Sequence, residues 1–180
     1  MKNDTKMKKN SFLLNTKIFI YLLSCTFVLV FFYGCYSFTG GTIPEHLKTL
    51  YISSVSDNSG YGNPVYRETL FQKLVEKFQK DNSLRLVDRG GDARLSVSIK
   101  SIRDEMLTVR PGEVESERKI TLSCDAEYYD AVKKKIIWTK SFSSFEVYNL
   151  NNAMVERDRA INVALEQATD DILLAVVSGW

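Results

Sequence analysis

Ala93-Arg94-Leu95-Ser96-Val97-Ser98-Ile99-Lys100-Ser101-Ile102 is the stretch that decides the fold. Ala93, Leu95, Val97 and Ile99 alternate with Arg94, Ser96, Ser98 and Lys100, the period of two that belongs to a strand with one dry face and one wet face. Lys119 to Asp130 repeats the pattern, with Ile120, Leu122, Cys124, Ala126 and Tyr128 on one side and Thr121, Ser123, Asp125 and Glu127 on the other. Strands of this kind must cover their apolar side with another layer.

The flanking sequence supplies that layer. Leu50 to Val55 reads as a first strand, and the polar Ser56 to Gly62 leads to Asn63-Pro64, an N-cap followed by proline at the first helical position. Leu70, Phe71, Leu74, Val75 and Phe78 then recur at helical spacing, with Glu76 and Lys80 expected to pair on the wet side and Asp81-Asn82 closing the helix. Leu84 to Val87 is a short strand and Asp88 to Asp92 a turn. After the hairpin connection Asp130 to Lys135, a returning strand runs from Ile136 to Val147 with Trp138, Phe142 and Phe145 as its large residues. Asn149 to Asn152 breaks the pattern. Ala153 to Ser178 reads as a long helix with Ile161, Ala164, Leu165, Ala168, Ile172, Ala175 and Val176 on one stripe and Gly179 as its stop. The order of elements predicts an α+β fold, a four- to five-stranded mixed sheet with two helices packed on one face.

The N-terminal side is of a different kind. Residues 1–17 hold five lysines and one acid, Ile18 to Phe32 carries no charge, and Tyr33-Gly34-Cys35 follows. This is the pattern of a signal peptide ending in a small residue, with lipoprotein processing at Cys35. Phe32 stands where a lipobox usually has leucine, and Leu22-Leu23-Ser24-Cys25 offers a second site upstream; cleavage there would leave the apolar run Thr26 to Phe32 at the new N-terminus. An uncleaved anchor over residues 18–38 is the other reading, being close to the roughly 20 residues that span a bilayer. The expected organisation is a signal peptide over 1–34, a lipidated tether over 35–48 containing Gly40-Gly41 and Pro44, and a single domain over 49–180.

Of 180 residues, 24 are basic and 22 acidic; without residues 1–34 the balance is 19 to 21. A basic domain that grips nucleic acid is therefore not expected. With Cys35 lipidated and Cys25 removed, Cys124 is alone and no disulfide framework exists; its place among core residues reads as a small buried hydrophobe. The one histidine, His46, falls in the tether, so no Ser-His-Asp or Cys-His arrangement is expected in the folded body. No HExxH, CxxC, GxGxxG or GxxxxGK[ST] motif occurs, and Gly60-Tyr61-Gly62 reads as a loop. No metal site, cofactor or catalysis is expected. What remains is the connection Arg103 to Arg118, with Arg103, Arg110, Arg118 and the adjoining Lys119, turning at Arg110-Pro111-Gly112. Two readings fit it: a solvated hairpin tip balanced by Glu113, Glu115 and Glu117, or a contact for phosphate groups.

Gly34-Cys35-Tyr36-Ser37-Phe38-Thr39-Gly40, Ile43-Pro44, the strand to Val55, Leu84-Arg85-Leu86-Val87, Ala93-Arg94-Leu95, Ile120 to Asp125, Ile137-Trp138 and the terminal Val177-Ser178-Gly179-Trp180 together, in their order and spacing, resemble the LPS-assembly lipoprotein (LptE) family. The resemblance covers nearly all of Cys35 to Trp180. It implies two helices against a small sheet, an outer-membrane lipoprotein, and a non-catalytic plug in the lumen of the barrel LptD that helps deliver lipopolysaccharide to the outer leaflet. It also implies that basic residues at the hairpin end meet the anionic lipid A and core region. Arg110 sits where that role falls, with Arg103, Arg118 and Lys119 as neighbouring ligand-binding candidates. Two rivals share the address: a lipoprotein scaffold of another envelope complex, and an envelope-anchored hydrolase.

Overall fold

The computed structural model describes residues 43–107 and 116–178. The expected leader, Cys25, Cys35, Arg110 and Gly179 lie outside them. In chain order the elements are β1 (Thr49–Asp57), α1 (Val65–Asp81), β2 (Arg85–Leu86), β3 (Ala93–Met106), β4 (Glu117–Asp130), β5 (Lys135–Asn149), a 3-10 turn (Leu150–Asn152) and α2 (Ala153–Ser178). The strands form one five-stranded mixed sheet in the order β2-β1-β3-β4-β5. β1 lies parallel to β2 and β3, whereas β3, β4 and β5 are antiparallel.

The alternation places the core as expected. Leu95, Ile99, Ile120, Leu122, Cys124 and Tyr128 are fully buried beneath Leu70, Leu74 and Phe78 of α1 and Ile161, Leu165 and Ile172 of α2. Burying each such side chain contributes roughly 1.5–3 kcal/mol. One bulge keeps the pattern in phase: Ile99 faces Cys124 but Ser101 faces Ser123, so Lys100 is the extra residue and Ile102 returns to the dry side. Alanines at 160, 164 and 168 let α2 sit close, and the Ser144 hydroxyl donates to the Ala164 carbonyl at 2.7 Å, joining β5 to that helix. At the start of α1 the Asn63 side chain accepts the Val65 N–H at 3.1 Å, and at its end Asn82 adopts the left-handed conformation.

Three expectations change. The ion pairs of α1 are not Glu76 with Lys80 but Lys73 and Lys77 with Glu166 and Asp170 of α2, because these positions face the neighbouring helix. Of the large residues of β5, Trp138 and Phe142 pack against the core, whereas Phe145 lies on the opposite side of the strand, 60% exposed. The strands β3 and β4 run further than their apolar alternation, to Met106 and from Glu117, so the connection expected from Arg103 to Arg118 shrinks to residues 107–116. Ladder hydrogen bonds continue where apolar burial stops. Finally, His46 is not in a free tether. Its Nε2 lies 2.7 Å from Asp130 Oδ2, and Leu47 beside it is buried.

Two carboxylates hold that entry. Asp92 accepts the N–H groups of Lys48 and Thr49 and the Thr49 hydroxyl. The Thr49 hydroxyl bond and the two N–H bonds hold its carboxyl below the usual range against the opposing effect of burial. Asp130 is nearly sealed from solvent. Burial pushes its pKa up, but the Lys133 N–H at 2.7 Å and His46 outweigh it, and the net direction is down. Gly91 brings the start of β3 against β1, where a Cβ would stand 2.8 Å from Tyr51 N and 2.9 Å from Ala93 O.

Two outcomes follow for stability. Because Asp92 and Asp130 hold protons less readily when folded, their contribution is complete above the unfolded carboxylate pKa of about 4 and disappears as pH falls through the folded values. Urea midpoints measured down to pH 3 should therefore fall less steeply in Asp92→Asn and Asp130→Asn than in the parent; parallel curves would contradict this. Gly91→Ala should lower stability by about 1–3 kcal/mol, since the neighbours that must yield are backbone atoms.

Candidate functional site

The strand directions bring one end of the molecule together. β1, β3 and β5 run towards the β3–β4 hairpin, and α1 and α2 each begin after a strand that ends there. Contacts between the helices rise in step: the Tyr66 hydroxyl with Asp158, Lys73 with Glu166, Lys77 with Asp170. The helices are thus parallel, and both N-termini share the hairpin end. Each N-terminus carries a partial charge of roughly +0.5.

The candidate cations divide between the two faces of the sheet. Arg103 pairs with Thr121 on the helix-free face, is exposed, and makes no ion pair with a described residue. Lys119 shares that face, with Nζ 3.9 Å from Glu105 Oε2 and 6.0 Å from the Phe145 ring centroid. Arg118 is on the other face. Its Nε donates to Asp104 Oδ1 at 2.7 Å and its Nη2 to the Asp104 carbonyl at 3.1 Å, while the Tyr148 hydroxyl donates to Asp104 Oδ2 at 2.9 Å. Burial, followed by the bond to Asp104, pushes the Tyr148 pKa up to about 12. Arg118 is therefore a staple between β3 and β4 with its charge offset by Asp104, and not one member of a single basic cluster. Arg110 falls in the hairpin tip, outside the described residues.

Two features of this end were not legible as site residues. Arg157, on the first turns of α2, has a buried Nε without a hydrogen-bond partner among the described residues. It acts electrostatically on Tyr61 and Tyr148, which places it beside the Asp104 group. A helical arginine flanked by Glu156 and Asp158 gives no signal in sequence. The second feature is apolar. Val65, Met106, Phe145, Met154 and Val155 are all 58–67% exposed, and all belong to this end by their place in the topology. Cations interleaved with exposed apolar side chains suit an amphiphile better than a soluble anion.

Elsewhere little chemistry is on offer. Among the described residues no group of His, Cys, Asp and Glu is placed to hold a metal ion. Cys124 is sealed in the core, and burial pushes its thiol up to about 12, so it stays protonated. No described helix is long and apolar enough to cross a membrane.

Residues 47–176 match the family model described as LptE, lipopolysaccharide-assembly. The chain belongs to the LptE family. Solved structures agree on the fold. A minor lipoprotein from Acinetobacter baumannii superposes with TM-score 0.55 at 12% identity, covering 74% of this chain and 94% of its own. The protein XCC0632 from Xanthomonas campestris gives TM-score 0.56 at 13% identity over 77% and 91%. The rare lipoprotein B from Shewanella oneidensis gives 0.50 at 16% identity over 73% and 96%. No curated protein matches the sequence. This LptE-family chain thus has an LptE-like architecture and a family assignment to lipopolysaccharide assembly in the envelope.

The split between Arg118 and Arg103 is testable by stability. Asp104→Ala should cost about 1–3 kcal/mol in a urea titration, because Arg118 and Tyr148 both lose their acceptor in a half-buried setting. Arg103→Ala should change stability by less than about 0.5 kcal/mol.

Proposed function

We propose that this LptE-family chain is an outer-membrane lipoprotein, anchored through Cys35, that plugs the lumen of an LptD-like β-barrel, supports its assembly and helps deliver lipopolysaccharide to the outer leaflet without catalysis of its own. The observation that carries the reading is the family match over residues 47–176. The hairpin end is consistent with it: parallel helix N-termini, Arg103, Lys119 and Arg157 stand there among Asp104, Glu105 and Asp158, with exposed Met106, Phe145, Met154 and Val155, an end with both charged and apolar character. The helix-free face supports enclosure. Ser54, Ser56, Ser96, Ser98, Ser101, Thr121, Ser123, Thr139, Ser141 and Ser143 share it, a short-chained hydroxyl surface suited to the polar lumen of an outer-membrane barrel.

In this reading Arg110, in the connection between β3 and β4, meets the phosphates of lipid A and core, and Arg103 and Lys119 on the helix-free face contribute to the same contact. Arg118 contributes by fixing the hairpin through Asp104. At Cys35, two or three acyl chains would hold the protein on the membrane, each methylene contributing roughly 0.8 kcal/mol.

Three measurements test the proposal. Purification of the native protein in mild detergent should bring down a large outer-membrane barrel; recovery of a different envelope complex without one would favour the scaffold reading. Arg110→Glu should weaken lipopolysaccharide binding about tenfold in a calorimetric titration with the circular dichroism spectrum unchanged. Mass spectrometry of the membrane-extracted protein should show residues 1–34 missing and added acyl mass on Cys35, and an unmodified thiol there would exclude lipid anchoring at that residue.

A further inference from the structure

The sheet has an edge that is started and not finished. β2 pairs with β1 only at Thr49 and Leu50, and the last bond of that lane runs from Val87 N–H to the Leu50 carbonyl at 3.0 Å. From Ile52 to Asp57 no described strand lies on that side of β1. A groove of about 540 Å³ follows this edge between β1 and α1. Ile52, Val55, Phe71, Val75 and Leu86 line it, and all but Ile52 are only partly buried. Arg67 and Glu68 stand at the hairpin end of the groove and Asp88 at the other, where it makes no ion pair with a described residue.

We propose that this groove receives an extended strand of a partner protein, laid in the lane that β2 begins, with apolar side chains at alternate positions facing α1 and a basic residue over Asp88. The main chain decides between kinds of occupant. An acyl chain would cover the Phe71 and Val75 surface but would leave the N–H and C=O groups of the β1 edge without partners, at a cost of about 1–3 kcal/mol each. An added strand covers the same surface and satisfies those groups. The lining charges agree: Arg67 and Glu68 are of opposite sign at one end, and Asp88 at the other is the carboxylate that a basic residue of the strand would meet. β1 carries neither lysine nor proline, the residues that usually protect an exposed edge, and its protection is limited to the bulge at Ser53 and Asp57 at its last position. The inference does not depend on the lipopolysaccharide reading, since the groove lies along β1 and not at the hairpin tip.

The test uses the full-length protein in detergent and a fluorescent peptide alternating valine and threonine over six residues with one terminal lysine, made in two versions with the lysine at either end. One version should bind saturably in anisotropy measurements. Binding should weaken about tenfold when glutamate replaces the lysine, and by at least as much when the peptide amides are N-methylated, a change that leaves the protein untouched. Phe71→Asp and Val75→Asp should each abolish it with unchanged circular dichroism. The proposal is overturned if neither peptide saturates below about 1 mM, if the N-methylated peptide binds equally well, or if laurate occupies the groove and neither peptide displaces it.

Discussion

A sheet with one apolar face sets the terms for this molecule. Leu95, Ile99, Ile120, Leu122 and Tyr128 form a continuous dry surface that the two described helices cover. Each helix follows a strand that finishes at the hairpin end of the sheet, so both run back in the same direction. Parallel neighbours align their dipoles, which is unfavourable, and the ladder of Lys73 and Lys77 with Glu166 and Asp170 offsets it. Those ion pairs raise the Lys77 pKa through Asp170 and then Glu166, and lower that of Glu166 through Lys73 and then Lys77. The arrangement puts both positive helix ends beside the hairpin that carries the arginines.

Where burial followed alternation, sequence sufficed. Ala93 to Ile99 and Ile120 to Tyr128 face the core as their spacing requires, and α2 spans the residues its apolar stripe marks out. The failures have a common cause, which is that apolar periodicity reports burial and not hydrogen bonding. Arg103-Asp104-Glu105-Met106 has no apolar rhythm, yet its backbone continues the ladder with β4, and Asp104 occupies the inward position opposite Ile120. An inward carboxylate looks like the end of a strand until its partners Arg118 and Tyr148 are known, and they lie 14 and 44 residues away.

The same limit applied to the candidate site. The four basic positions are near one another in sequence, but neighbours on a strand point to opposite faces, so Arg118 and Lys119 stand on different sides of the sheet. Arg157 is the converse case, distant in sequence and brought by the fold beside the Asp104 group. Glycine and proline before His46 read as a tether, whereas its place is set by a buried aspartate at the far end of β4.

That aspartate, with Asp92, has a mechanical consequence. Tension applied to the chain before residue 43 reaches the fold at His46, Lys48 and Thr49, and is directed along β1. β1 is parallel to β3, so the pull loads their ladder in shear, with many bonds resisting at once instead of opening singly from one end. The carboxylate clamp thus acts as a strain relief at the point where the chain enters the fold, at the end of β1 opposite the arginine-bearing hairpin.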